Sequence, residues 1–144
     1  MVVDPLLLFL TVLAAWSLQD TITLGSHTAR TIPGSAGNVS KNDPGVQKAV
    51  LSGTYAFNNK SNDIFLFKAS AIDKAERQVV KGIRYILEVE ISRTVCRKTA
   101  SNPDLSNCHF QPKGKLHQIF HCHFEVWSIP WLKWMNTTFF ICHP

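Results

Sequence analysis

The sequence predicts an α+β fold in which one long helix packs across a four- to five-stranded antiparallel sheet. Three observations lead to this prediction: one capped helical segment, several segments that alternate with a period of two, and turn signals between them. At 144 residues the chain is long enough for one domain with its own core, and it contains no internal repeat.

The helical segment begins at Asp43-Pro44. Asp43 can cap the helix, and Pro44 suits its first position, where no amide donor is needed. One stripe of the segment is apolar or small, and the helix is expected to end near Asn58-Asn59. Gly53 costs up to about 1 kcal/mol relative to alanine, which indicates a close approach of the helix to the sheet. The stripe consists of Val46, Ala49, Val50, Gly53, Thr54 and Phe57.

The strands are predicted from alternation. Residues 64–67 begin a strand, but residues 70–80 give conflicting signals, because Ser70 and Asp73 resemble a helix cap. A long strand is favoured there, since the alternating segment 83–96 needs an antiparallel partner of similar length. Residues 118–126 alternate in the same way, and a reversal leads to a last strand over 137–142. The residues of segment 83–96 expected on its buried face are Ile83, Tyr85, Leu87, Val89, Ile91 and Val95.

Four cysteines in a small chain are typical of a secreted two-disulfide framework with three possible pairings. Turn signals choose between the pairings. The midpoint of the first two cysteines falls in the turn signal 102–104, and that of the last two falls in 130–132. The predicted disulfides are therefore Cys96–Cys108 and Cys122–Cys142.

Residues 1–25 are interpreted as a signal peptide with an uncertain cleavage site, because their apolar run is too short to span a bilayer. Asp4 stands where a basic residue is usual, and an uncleaved anchor or a buried strand is the alternative. Residues 26–41 are expected to form a flexible arm ahead of a domain over 42–144. A secreted, extracellular protein is expected, with an endolysosomal location as an alternative. Possible N-glycosylation sites that agree with this are Asn38, Asn59 and Asn136.

The formal net charge is +5, and it becomes +7 if residues 1–25 are removed, because they contain Asp4, Asp20 and no base. Such an excess is found in proteins that bind nucleic acids or anionic membranes. Here the basic residues are scattered without a long run, so neither partner is expected. Arg84 is interpreted as part of a solvated face shared with Glu88 and Glu90.

Residues 78–82 are predicted to form the tip of the hairpin between the two long strands, because Gly82 tolerates the positive φ of a tight turn. The tip carries Val79 and Val80, although hairpin tips are usually polar. Apolar tips are typical of surfaces that meet another molecule. The alternative is that both valines belong to an ordinary strand core.

Residues 42–142 resemble the type 2 cystatins. The resemblance lies in the segment Asn42-Asp43-Pro44-Gly45-Val46, in residues 78–82 at the place of the family motif Gln-x-Val-x-Gly, in Pro130-Trp131 and in the cysteine spacing. Each element alone is weak, and their combination is specific. The resemblance implies the cystatin fold and a reversible, competitive inhibitor of papain-like cysteine proteases such as the cathepsins.

The resemblance further implies that three segments form one wedge for the protease cleft. The arm around Gly34 would bend into the non-primed side, with Gly37 as a second candidate hinge. Trp131 would be the main apolar anchor, with Trp134 in a small cluster beneath it. Lys81 replaces the alanine of the commonest family version and would favour acidic rims. The implied protease-binding residues are Gly34, Gln78, Val79, Val80, Lys81, Gly82, Pro130 and Trp131.

Some family members also inhibit legumain through an asparagine in the loop after the helix. Ser61-Asn62-Asp63 matches that loop and would present Asn62 as a pseudo-substrate. A glycan on Asn59 would obstruct this docking, so legumain inhibition stays open. The extra cysteines that link one family member into a dimer are missing, with Lys60 at one of their positions. A monomer is therefore expected, and a dimer formed by strand exchange stays open.

His117, His121 and His123 share one strand face, with His109 nearby, and three imidazoles can bind zinc. Residues on one strand rarely converge tetrahedrally, however, and no carboxylate is placed to activate a metal-bound water. No metal, cofactor or enzymatic activity is expected, since the cysteines are assigned to disulfides and no Ser-His-Asp arrangement stands out. The alternative function is a secreted binding module with weak or no protease inhibition.

Overall fold

The computed structural model describes residues 34–99 and 104–144. The predicted signal peptide and most of the predicted arm lie outside these residues. Within the described residues, one α-helix and five strands are present, which confirms the predicted α+β class. The elements are β1 (Gly37–Asn38), α1 (Pro44–Lys60), β2 (Phe65–Val79), β3 (Ile83–Arg97), β4 (Ile119–Ile129) and β5 (Trp134–His143).

The strands form one sheet in the order β1-β2-β3-β4-β5, and every neighbouring pair is antiparallel. Strands β2 and β3 contain 15 residues each. The long strand predicted over 63–80 is therefore confirmed, and the helical alternative is not. Register shifts interrupt the β2–β3 pairing at three places, the last of them between Ile72 and Lys74. Such bulges increase the local twist and re-aim side chains.

Helix α1 lies across one face of this sheet. The Asp43 carboxylate accepts hydrogen bonds from the amides of Gly45 and Val46, at 2.9 and 3.2 Å, so the predicted cap is present. A Cβ added to Gly53 would lie 2.5 Å from the Phe124 ring, which explains the glycine inside the helix. The buried core between helix and sheet includes Val46, Ala49, Val50, Phe67, Leu87, Val89, Ile91, Phe124 and Val126.

One part of the predicted burial pattern is wrong. Val95 is 47% exposed, whereas Thr94 is fully buried. At this end of β3 the loop between β3 and β4 covers the other face of the strand. The Gln111 side-chain amide in that loop donates to the Thr94 carbonyl at 3.0 Å. The buried loop residue Leu105 packs nearby against Leu66 of β2. The loop therefore reverses which parity of β3 is buried.

Both predicted disulfides are present, Cys96–Cys108 and Cys122–Cys142. The second joins β4 to β5 at directly paired positions. Within residues 34–99 and 104–144, no helix is long and apolar enough to cross a membrane.

The described part of the arm, residues 34–41, pairs with the edge of the sheet. Strand β1 pairs with the edge of β2, with Gly37 opposite Arg77. The Val39 amide donates to the Ala75 carbonyl at 3.1 Å and extends this pairing. The edge strand offers backbone groups that would otherwise be unpaired, and the arm satisfies some of them.

Candidate functional site

The two long hairpins turn at the same end of the sheet. The first hairpin is closed by the pair Val79–Ile83 and the second by the pair Ile129–Trp134. Across the neighbouring strands β3 and β4, Ile83 pairs with Ser128. Since these pairs are adjacent to both turns, the sheet register places the two tips side by side.

The first tip, residues 78–82, exposes its valines to solvent. Val79 is 69% exposed and Val80 is 39% exposed, so neither belongs to the core. Gly82 has φ +127°, and a Cβ added to it would lie 2.6 Å from the Ser128 carbonyl oxygen. The position therefore requires glycine for its conformation and for its contact with the second hairpin.

The second tip is a short 3-10 turn over Pro130–Leu132. The Lys133 amide donates to the Pro130 carbonyl at 3.0 Å and closes the turn. Trp131 projects from it and is 70% exposed. Trp134 instead packs edge-on against Trp127, with 5.4 Å between ring centroids, in the small cluster that was predicted for it.

The arm reaches the first tip at Gly34, the first described residue. The Gln78 side-chain amide donates to the Gly34 carbonyl at 2.6 Å. Gly34 has φ +86°, a conformation that glycine adopts without strain, whereas Gly37 lies in β1. The structure thus brings together the three segments that the sequence analysis assigned to the wedge.

Arg84 is a site residue that the sequence did not reveal. Its guanidinium donates to the Gln78 side-chain oxygen at 3.2 Å and also pairs with the Glu125 carboxylate on β4. The charge pattern predicts a solvated Arg84 facing Glu88 or Glu90. No local signal identifies Glu125 as its partner, because the two residues are 41 positions apart. Arg84 therefore connects the first tip to the strand that leads into the second.

The hydrogen-bond network continues from Glu125 to His123 and Glu88. One ring nitrogen of His123 contacts the Glu88 carboxylate, and the other contacts the Glu125 carboxylate. Partial burial opposes protonation of His123, but the bonds to Glu88 and Glu125 outweigh it and raise the pKa of the imidazole. The hydrogen bond with His123, together with Arg84, lowers the pKa of Glu125 despite its partial burial. The favoured state is a charged network along the outer face of the sheet.

The loop after α1, residues 61–63, holds an exposed asparagine between fixed neighbours. Asn62 is exposed, while the Asp63 carboxylate accepts from the Arg93 guanidinium at 2.6 Å. The Asp63 amide donates to the Ser61 hydroxyl at 3.0 Å, and Lys98 donates to the Ser61 carbonyl at 2.6 Å. The loop lies at the opposite end of β2 from the first tip. Asn38, Asn59 and Asn136 are also exposed.

Comparison with known proteins agrees with this architecture. Residues 34–131 match the family model described as Cystatin domain. The chain therefore belongs to the cystatin family, whose members inhibit cysteine proteases and are not enzymes.

Among individual relatives, the chain is similar to cystatin F. It is 47% identical to Cystatin-F of Mus musculus over 110 residues, which covers 76% of this chain and 76% of the relative. It is 44% identical to Cystatin-F of Homo sapiens over 115 residues, covering 80% and 79%. The crystal structure of dimeric human cystatin F superposes with a TM-score of 0.74 at 43% identity, covering 81% of this chain and 92% of that one.

Proposed function

We propose that this protein is a secreted, reversible and competitive inhibitor of papain-like cysteine proteases of the cathepsin type. The observation that carries the proposal is the alignment of Gly34, the first tip and the second tip along one end of the sheet. The protease-contacting residues would be Gly34, Gln78, Val79, Val80, Lys81, Gly82, Pro130 and Trp131.

The physical basis of inhibition is a preformed apolar edge. A protease cleft has apolar walls around a reactive thiolate, and the exposed valines and Trp131 offer complementary apolar surface. The pairing of Ile83 with Ser128 and the bond from Gln78 to Gly34 hold the segments in place before binding. Less conformational entropy is then lost on docking, so more of the contact energy contributes to affinity.

The bonds made by Arg84 support this pre-organisation. Through Gln78, Arg84 connects to the carbonyl of Gly34, and through Glu125 it connects to β4. One side chain thus contacts groups from β2 and β4, on either side of its own strand. Arg84 would act as a positioning residue, since it lies behind the tips.

The test is steady-state inhibition of a cathepsin L-type protease by the purified full chain and by Val79→Asp. The charged side chain would be desolvated in the apolar cleft, so inhibition should weaken by about 30-fold or more. Val95→Asp is the matched control, because Val95 is an exposed valine near the far end of β3. Its inhibition constant should equal that of the parent. Equal constants for Val79→Asp and the parent would refute the wedge.

The same assay separates inhibition from a binding module that does not inhibit. Competitive inhibition predicts that the apparent inhibition constant rises linearly with the concentration of a peptide substrate. Reversibility predicts that dilution restores protease activity and that the inhibitor remains uncleaved by mass spectrometry. A parent protein that leaves every papain-like protease fully active would favour the binding module.

Legumain is a second candidate target, and the geometry of the loop 61–63 favours it. Asn62 is exposed while Ser61 and Asp63 are held by Lys98 and Arg93, so the loop can present one asparagine in a fixed conformation. Asn62→Lys should abolish legumain inhibition and leave inhibition of the cathepsin unchanged, because the loop is distant from the wedge. Enzymatic removal of N-glycans would show whether a glycan on Asn59 obstructs docking. Undiminished legumain inhibition by Asn62→Lys would eliminate this site.

Secretion is proposed with residues 1–25 as the signal peptide, 26–41 as the arm and 42–144 as the inhibitory domain. The two disulfides and the exposed asparagines of the possible N-glycosylation sites support folding of the protein in an oxidising compartment. Expression of the full chain in cultured mammalian cells should yield glycosylated protein in the medium, with a new N-terminus near residue 26. Retention of all the protein in the cytosol with residue 1 intact would contradict this. Gel filtration of the purified protein should give a monomer.

A further inference from the structure

The outer face of the sheet carries a second polar cluster that the wedge does not use. Glu90 on β3 and His121 on β4 are directly paired across the strands, and His121 is paired in turn with His143 on β5. Asp73 lies in the bulge of β2 between Ile72 and Lys74, where the register shift leaves it without a strand partner. The bulge turns the Asp73 side chain toward Glu90 and His121.

The donor atoms of this cluster are close enough to share one ion. One ligand atom each from Asp73, Glu90 and His121 lies within 4.8 Å of the other two. Ligand atoms around one tetrahedral zinc ion are separated by roughly 3.3–3.6 Å, given bond lengths of about 2.0–2.2 Å. Small rotations of exposed side chains would close the difference. Asp73 and His121 are exposed, so an ion can reach them directly.

The charges of the cluster also favour a cation. One carboxylate oxygen of Asp73 and one of Glu90 lie within 4.8 Å of each other, so two acidic groups stand side by side. Among the described residues, the one ion-pair contact of Glu90 is with the His121 ring, at 3.9 Å, and no lysine or arginine pairs with Asp73. A divalent ion would relieve the repulsion between the two carboxylates.

The geometry points to a zinc site on the outer face of the sheet, formed by Asp73, Glu90 and His121. Two carboxylate oxygens and one imidazole nitrogen are the donor types that zinc accepts, and the remaining position would be open to water. The His143 ring flanks the site, with its centroid 6.0 Å from that of His121. The sequence predicts no metal, because histidines along one strand rarely converge tetrahedrally and no carboxylate is placed to activate a metal-bound water. Here the carboxylates come from β2 and β3.

His123 shows why the site forms at His121. Both residues lie on the outer face of β4, but the two ring nitrogens of His123 already contact Glu88 and Glu125. The His121 ring has one longer contact, to Glu90. His121 therefore keeps a nitrogen available for an ion.

The site would be independent of protease inhibition. Ile129 at the second tip lies eight positions beyond His121 on β4, a distance of roughly 27 Å along an extended strand. Zinc binding and inhibition can therefore be measured separately. Failure of the zinc proposal would say nothing about the wedge, and failure of the wedge would leave the zinc proposal standing.

The experiment is isothermal titration of the tag-free full chain with zinc chloride, followed by NMR of the imidazole resonances. One equivalent should bind, and the His121 resonances should shift. His121→Gln and Asp73→Asn should each weaken binding by about tenfold or more. His109→Gln and His117→Gln are matched controls and should bind zinc like the parent. Circular dichroism confirms that each variant is folded, and since both ligand positions are exposed, the variants should keep the parent spectrum.

Three outcomes would overturn the proposal. The first is the absence of zinc binding by the parent at millimolar concentration. The second is binding that His121→Gln and Asp73→Asn leave unchanged. The third is binding that is lost in His109→Gln or His117→Gln, because the ion would then occupy a different site. Magnesium provides a further check: it should bind more weakly than zinc, because it requires octahedral oxygen coordination and gains little from an imidazole.

Discussion

The two hairpin tips of the candidate functional site are built in opposite ways. The first tip is held by its surroundings, since Gln78 contacts Gly34 and Arg84, and Gly82 fits against the Ser128 backbone. The second tip is a short turn from which Trp131 projects with 70% of its surface exposed. The first tip therefore depends on the contacts that hold its backbone in place, and the second tip contributes exposed apolar surface.

The two tips should therefore be sensitive to different kinds of substitution. Backbone changes should damage the first tip, because its location is fixed by a positive φ and by close packing. Truncation of a side chain should damage the second tip, because its contribution is apolar surface. Four substitutions test this contrast, and their expected effects decrease in the order given.

Gly82→Ala should have the largest effect. The new Cβ would lie 2.6 Å from the Ser128 carbonyl oxygen, at a φ of +127° that alanine rarely adopts. We expect about 2–3 kcal/mol less stability in urea unfolding and inhibition weakened by about 100-fold. Gly114→Ala is the control, because Gly114 also has a positive φ but has no atom within 4 Å of the added Cβ. It should lose stability and keep full inhibition, and equal inhibition by both variants would contradict the positional role of the first tip.

Trp131→Ala should weaken inhibition by about 30-fold, or about 2 kcal/mol, because a large apolar contact with the protease is lost. Its melting temperature should match that of the parent, since Trp131 is mostly exposed. Leu132→Ala removes a neighbouring side chain that is 65% exposed and should change inhibition by less than about threefold. Similar losses for both variants would mean that exposed area in general, not the tryptophan, is what the protease contacts.

Arg84→Met keeps an unbranched aliphatic side chain and removes the hydrogen bonds of the guanidinium to Gln78 and Glu125. We expect inhibition to weaken by about fivefold, because about 1 kcal/mol of positioning is lost. The association rate should fall and Arg84→Lys should recover part of it, since one charged hydrogen bond can still form. An inhibition constant identical to the parent value would show that the tip keeps its position without Arg84.

Glu125→Gln should have the smallest effect, and the effect should depend on pH. The pKa of Glu125 in the folded protein is lowered by His123 and Arg84, so the ionised carboxylate stabilises the fold above its ordinary value near 4.5. This contribution disappears as the pH falls through the lowered pKa. The variant should be about 1 kcal/mol less stable than the parent at pH 6.5, and the difference should shrink as the pH falls below 4.5 through the lowered pKa. A difference in stability that does not shrink with falling pH would contradict the charged network.

Much of the fold follows from local patterns. The cap at Asp43 and the apolar stripe define the helix, and the turn signals indicated both disulfide pairs. The failure at Val95 has a physical cause, because alternation reports one buried face and cannot show that a loop covers the other face further along. Local patterns also leave Arg84 on a solvated surface, since its partner Glu125 is brought to it only by strand pairing.

Caps, periodicity and motifs are encoded within a few neighbouring positions, so the elements, the family resemblance and the residues of the three wedge segments can be predicted from the sequence. The tertiary structure was needed to show that the tips lie side by side, that Arg84 joins Gln78 to Glu125, and that Asp73 and Glu90 lie close to His121. These relations depend on the register between strands and on one bulge. Register is a property of paired strands, and a single strand does not contain it.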